Sequence, residues 1–198
     1  MDNTVGSLTQ LQRSVIIGSI LGDGYVRIMP GRSDAFLEIN HSIKAKEYVD
    51  WKYSVLKNIC KSPPQKREID DKRTAYRFFT RQHGEITELL NQFYKGGRKV
   101  IPSELQLDPM VIAVWFMDDG SKSKKYDVYL NSQQFSLSDQ KKLLNFLRQV
   151  GLRAKLNRDK KYYRIRFLRE SVQKLNQIID PYIVFSMRYK LSYDPVET

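Results

Sequence analysis

The stretch Ile16-Ile17-Gly18-Ser19-Ile20-Leu21-Gly22-Asp23-Gly24 decides how the rest of the chain is read. Apolar residues run at helical spacing from Leu8 to Leu21, and Gly22 and Gly24 then stop the helix, since a residue without Cβ leaves helical geometry at little steric cost. A helix that ends on an aspartate is the result. Pro109 to Met117 behaves in the same way and ends in Asp118-Asp119-Gly120, so the two Asp-Gly ends lie 96 positions apart.

The segments after the two ends are also alike. After Gly24, Tyr25 to Ile28 and Phe36 to His41 alternate in hydropathy around Pro30-Gly31-Arg32-Ser33 and predict a β-hairpin. Lys44 to Cys60 returns to helical periodicity until Pro63-Pro64 breaks it. Strands are expected at Gln65 to Ile69 and Ala75 to Arg81, then a helix from Glu85 to Tyr94. After Gly120 the same order recurs: strands near Asp127 to Tyr129 and Asn131 to Phe135, a helix from Ser138 to Val150, strands at Arg153 to Asn157 and Tyr162 to Leu168, and a helix from Val172 to Ile179. The expectation is an α+β chain of two pseudo-symmetric α-β-β-α-β-β-α halves, residues 1–97 and 98–198, tightly joined through a Gly96-Gly97 linker; an internal duplication is the simplest account.

Composition bounds the partner. The 198 residues carry 34 Lys and Arg against 22 Asp and Glu, a formal net charge of +12, which favours a polyanion. Cys60 is the only cysteine, which excludes an intramolecular disulfide and a cysteine-rich zinc site. The longest apolar runs, Val15 to Leu21 and Met110 to Met117, are less than half the length that spans a bilayer, so no membrane role is expected. Met1 to Leu8 has neither the layout of a signal peptide nor that of a transit peptide, so the chain is not expected to be secreted.

If the two aspartate-ended helices pack side by side, their carboxylates meet. Gly18 and Gly22 permit that approach in the first helix and Ala113 offers a weaker equivalent in the second. Carboxylates and free helix carbonyls make an oxygen-only site, which suits Mg²⁺ better than zinc or copper.

Ile16 to Gly24 and Ile112-Ala113-Val114-Trp115-Phe116-Met117-Asp118-Asp119-Gly120 resemble the two paired motifs of monomeric LAGLIDADG homing endonucleases. Lys99-Val100-Ile101-Pro102, Asn131-Ser132-Gln133 and Met187-Arg188-Tyr189-Lys190-Leu191 resemble pieces of the intron-encoded branch. Ser19 and Val114 depart from the pattern at positions usually apolar and small, respectively. The resemblance implies a monomer with its motif helices at an interface and a saddle of antiparallel strands on double-stranded DNA. It implies cleavage of both strands of a long asymmetric target to leave short 3′ overhangs, in whichever compartment holds the target genome. Metal-binding roles carry over to Asp23 and Asp119, with Gly22 and Asp118 beside them; Mg²⁺ is the expected cofactor and Mn²⁺ the expected substitute. Lys99 and Lys160, the latter favoured over Lys161, are the expected basic partners. The rival is an intron RNA maturase, or a relative that binds DNA without cutting it.

Recognition is expected from strands whose faces differ. Arg153, Lys155 and Asn157 alternate with apolar residues, as do Arg164 and Arg166, and as do Tyr129, Asn131 and Gln133 with Val128 and Leu130. In the first half Tyr25, Arg27, Glu38, Asn40, Arg77 and Arg81 extend the surface, and side chains of these types read base edges. Lys66, Arg67, Lys72, Arg73, Lys122, Lys124 and Lys125 are expected to hold phosphates. His41 falls on the apolar side of its strand and His83 precedes a helix, and both are read as structural.

Overall fold

Thr9 and Gln12 open the first helix reciprocally. The Thr9 hydroxyl accepts from the Gln12 amide at 3.2 Å and the Gln12 side chain accepts from the Thr9 amide at 3.1 Å, so two otherwise orphaned donors are satisfied. Helix α1 then runs Gln10–Leu21, and its Val15, Ile16, Ile20 and Leu21 are buried. The computed structural model describes residues 6–70, 73–123 and 127–191. Lys72, Lys124 and Lys125, expected as phosphate contacts, lie outside the described residues.

The chain divides into two compact units, Met1–Asn91 and Gln92–Thr198. In the first, α1 is followed by β1 (Tyr25–Ile28), β2 (Ala35–Ser42), α2 (Lys46–Leu56), β3 (Gln65–Asp70), β4 (Arg73–Phe79) and α3 (Gly84–Phe93). The four strands form one antiparallel sheet in the order β1-β2-β4-β3. Val26, Leu37, Ile39 and Phe78 bury one face of it, beneath Tyr48, Val49 and Leu56 of α2. Cys60 is buried below Thr80, with which it makes a bridge. Burial pushes its thiol up to about 12, against a smaller lowering by Arg81, so it is inert at neutral pH.

The second unit repeats the plan. It opens on a two-stranded ribbon, β5 (Tyr94–Lys95) and β6 (Arg98–Lys99), and continues with α4 (Pro109–Asp119), β7 (Gly120–Lys122), β8 (Val128–Leu130), α5 (Leu137–Gln149), β9 (Ala154–Asp159), β10 (Tyr162–Phe167) and α6 (Arg169–Ile179). Its sheet has the order β7-β8-β10-β9, which is the first unit's order repeated, as a duplication requires. Asp108 caps α4 by accepting from the Val111 amide at 2.8 Å, with Pro109 at the first turn where a missing N–H costs nothing. Val111 to Met117 are buried without interruption. Such a helix is apolar all round and must be enclosed.

Three expectations change. Gly96-Gly97 is no open linker: both residues have positive φ (55° and 75°), and they form the tight turn of the β5–β6 ribbon. The compact units accordingly part between Asn91 and Gln92, a few residues before the expected 97/98 boundary. The strand pair expected at 127–129 and 131–135 is shifted toward the N-terminus. β7 begins at Gly120 and pairs with Val128–Leu130, whereas 131–135 is a turn closed by Ser132 N–H to the Leu130 carbonyl and Phe135 N–H to the Ser132 carbonyl. Ser136 then caps α5 through the Asp139 amide, and this ends any strand there. Gln133 is therefore not on the sheet.

Candidate active site and nucleic-acid interface

Asp23 stands in the turn that carries the chain from α1 into β1. Gly22 N–H bonds the Gly18 carbonyl at 3.1 Å and Gly24 N–H the Ser19 carbonyl at 2.7 Å. A Cβ at Gly24 would meet Ser19 atoms at 2.8 Å, so only glycine allows the turn to close this tightly. The Asp23 side chain is 52% exposed, and its Oδ2 lies 3.7 Å from Nδ1 of His41, which is 10% exposed. The His41 ring also meets Tyr48 at 5.5 Å, and Tyr48 stacks on Trp51. His41 does lie on the core side of β2, as expected, in line with Leu37 and Ile39, and its ring nitrogen still comes within reach of the Asp23 carboxylate. The β1–β2 register, Tyr25 opposite Glu38, continued for three residues sets Gly22 opposite His41 and Asp23 opposite Asn40.

The second acidic end is built alike. A Cβ at Gly120 would fall 2.3 Å from the Phe116 carbonyl oxygen, so glycine is again obligatory. Asn131 N–H bonds the Asp119 carbonyl at 3.0 Å, which puts Asn131 opposite Asp119 as Asn40 is opposite Asp23. Gln134 Nε2 donates to the Asp119 carboxylate at 3.4 Å. Lys190 reaches back to the C-terminal end of α4 and donates to the carbonyls of Met117 and Asp118. A cation there complements the negative end of the helix dipole.

Lys160 is placed elsewhere. Gly120, Leu130 and Ile165 are level across the sheet, whereas Lys160 sits at the tip of the β9–β10 hairpin in a left-handed conformation, φ 55°, with its carbonyl accepting from Arg158. At about 3.3 Å per residue that tip is on the order of 15 Å along the strands from the level of Gly120. Among the described residues, Lys190 is a cation bonded at the Asp119 end, whereas Lys160 stands at the hairpin tip. Lys99 pairs with Tyr94 across the β5–β6 ribbon, and the backbone that follows it is held in place: Val100 N–H bonds the Phe93 carbonyl at 2.8 Å, and Ile101 N–H the Asp139 carboxylate at 3.2 Å.

One face of each sheet carries the expected polar side chains. Register puts Tyr25, Arg27, Glu38, Asn40, Arg77 and Arg67 on the face away from Val26 and Leu37, but sends Lys66 to the opposite side, level with Tyr76. Arg81 lies past the end of β4, its amide bonded to the Ile59 carbonyl at 2.6 Å. A groove of about 880 Å³ runs over this face, lined by Arg27, Phe36, Arg77, Phe79 and Arg81 among others. In the second unit Tyr129, Arg164, Arg166, Lys155 and Asn157 share the corresponding face. Tyr129 is buried there beneath the Arg164 guanidinium, 4.0 Å from the ring centre, and Arg166 is ion-paired with Asp127. Arg153 turns to Glu170 at 3.2 Å. Among the phosphate candidates, Arg73 pairs with Asp70 at 2.8 Å and Lys122 donates to the Leu191 carbonyl at 2.7 Å.

Residues 13–175 match the LAGLIDADG DNA endonuclease family. The chain belongs to that family. It superposes on the homing endonuclease I-WcaI, whose structure was determined bound to its DNA recognition sequence, with a TM-score of 0.88 and 25% identity over 96% of this chain and 89% of that one. It is 28% identical to the probable intron-encoded endonuclease 1 of Wickerhamomyces canadensis over 95% of this chain and 87% of that protein. It is 29% identical to the cytochrome b mRNA maturase bI2 of Saccharomyces cerevisiae over 96% of this chain, and spans only 49% of that protein's length.

Membership gives the two LAGLIDADG ends a chemical test. The oxygen donors are the Asp119 carboxylate at one end and the half-exposed Asp23 carboxylate at the other; the Met117 and Asp118 carbonyls already accept from the Lys190 ammonium, and His41 brings a nitrogen beside Asp23. Oxygen donors of this kind fit a hard divalent cation. Reading the sequence took His41 as structural, placed Lys190 only within a stretch resembling the family, and did not single out Gln134. His41 was within reach, since counting back along the hairpin register from Glu38 and Tyr25 leads to it. Lys190 was not, because no periodicity ties it to a helix end 71 positions earlier.

Proposed function

We propose that the chain is a site-specific homing endonuclease that hydrolyses both strands of a long duplex DNA target with Mg²⁺ and leaves short 3′ overhangs, one strand served by the Asp23 half and the other by the Asp119 half. The observation that carries this reading is the equivalence of the two acidic turns within a family of DNA endonucleases: each ends a buried helix, each is closed by a glycine that no other residue replaces, and each faces an asparagine across its hairpin. Asp23 and Asp119 would hold the metal, with main-chain carbonyls at Gly22 and Asp118 beside them. When bound, Mg²⁺ supplies a polarised water and neutralises charge on the leaving oxygen, and Mn²⁺ substitutes for it.

The chain's own residues do the rest. Gln134 holds the Asp119 carboxylate in orientation, and His41 does so for Asp23. Lys190 and Lys99 supply positive charge where negative charge develops on the phosphate. The two sheet faces share Asn40 with Asn131 and Arg77 with Arg164 but differ at other positions, as at Glu38 against Tyr129 and Phe79 against Arg166, so a single chain acting as a monomer reads an asymmetric target rather than a palindrome. It acts in the compartment that holds that target.

A second reading rests on the similarity to an mRNA maturase along nearly the whole chain: the same fold assists its host intron RNA. Incubation of the protein and Mg²⁺ with a randomised duplex library separates the two. Recovery of one long asymmetric cut site supports the endonuclease. Tight metal-independent binding to intron RNA with no duplex cut supports the maturase, and selective duplex binding without cutting supports a non-cleaving relative.

A further inference from the structure

Glu38 is an anomaly on the face proposed to meet DNA. A carboxylate there repels phosphate, yet it is only 16% exposed and lies 3.4 Å from the Arg27 guanidinium, itself 43% exposed. Arg27 is held on a second side as well. Its Cζ stands 5.1 Å from the centre of the Phe36 ring, directly across the β1–β2 register. Phe36 is in turn braced edge-on by Phe79 at 5.9 Å. The arginine is thus fixed by an aromatic platform and a carboxylate in the free protein, before any ligand arrives.

The pair presents donors beside acceptors. A guanidinium offers only N–H groups, in a fork that matches two adjacent acceptors, and an ionised carboxylate only accepts. In the major groove the edge of a G·C base pair shows guanine N7 and O6, both acceptors, then the cytosine N4 amino donor. An A·T pair shows no two adjacent acceptors. We propose that Arg27 and Glu38 together read one G·C base pair of the target, the guanidinium donating to guanine and the carboxylate accepting from the cytosine amino group. The same pairing keeps Arg27 from engaging phosphate, since its charge is already met within the sheet. This rests on the duplex-binding reading above and adds a specificity determinant to it.

Binding selection from a randomised duplex library, with Ca²⁺ replacing Mg²⁺, tests the pair. Wild type should enrich a site with one G·C pair that Glu38→Gln and Arg27→Gln each cease to demand, losing about 10- to 100-fold discrimination at that position while the other positions hold. Glu38→Gln should also steepen the dependence of affinity on salt by nearly one phosphate contact, because Arg27 is released. A near-wild-type melting temperature checks that Glu38→Gln folds. If it alters affinity for all sequences alike, with no position relaxed, the pair is a structural brace and the proposal is wrong. If wild type enriches no duplex at all, the duplex-binding reading itself falls, and this one with it.

Discussion

At the scale of single residues, the two acidic turns are set by what glycine lacks. A methyl group at Gly120 would sit 2.3 Å from a main-chain oxygen, which neither rotation nor a flexible neighbour relieves. Gly120→Ala should therefore cost about 2 kcal/mol or more, as for other forced overlaps, seen as an earlier midpoint in urea; a change under roughly half a kcal/mol would mean that the turn opens freely. The cation assignment has an equally direct check. Lys190→Met should slow cleavage on the order of 100-fold with DNA affinity changed only a few-fold, as when one charge-stabilising group is removed, whereas Lys160→Met should leave the rate near wild type. The opposite ranking would return the role to the hairpin tip.

At the scale of elements, the start of α5 holds together several parts of the second unit. Asp139 accepts from the Ser136 hydroxyl at 2.7 Å, from Lys142 at 3.1 Å and from the Ile101 amide at 3.2 Å. Burial pushes its carboxyl up, but these bonds outweigh it and hold the group below the usual carboxylate range. A lowered folded value means stability that is present above the ordinary carboxylate value and is lost as pH falls through the folded one. Asp139→Asn should then cost about 1–3 kcal/mol at pH 7, and the gap from wild type should narrow below about pH 4; denaturant titration at both pH values measures it. A gap independent of pH would assign the loss to packing. Because Ile101 is two residues from Lys99, the same variant should also slow cleavage.

Strands show where a sequence stops informing. α1 and α4 were legible because apolar runs and terminal glycines are strong local signals, and β9 and β10 because Arg, Lys and Asn alternate with Leu, Ile and Phe. β7 was not: Gly120-Ser121-Lys122 is too short for a period to appear, so the pair was assigned downstream, where Asn131 and Gln133 continue an alternation that the chain abandons at Ser132. The site divided in the same way. Asp23 and Asp119 are marked by their neighbours in sequence, while Gln134 and Lys190 are placed by tertiary structure alone.

At the scale of the whole molecule, the net charge of +12 and the two basic sheet faces imply association driven largely by counterion release. If about six to ten phosphates are met, affinity for a target duplex should fall about 10³- to 10⁵-fold between 50 and 200 mM salt. A nearly flat dependence, measured by fluorescence anisotropy, would place the ligand elsewhere. The proposed division of labour makes a sharper demand: on it, the two equivalent acidic ends are both needed for a double-strand break. The most direct measurement is strand-resolved cleavage of the selected target by wild type, Asp23→Asn and Asp119→Asn in Mg²⁺, with binding measured in parallel. Loss of double-strand cleavage in each variant, with duplex affinity retained, is the predicted result; undiminished cutting of both strands by either variant would contradict the two-aspartate account.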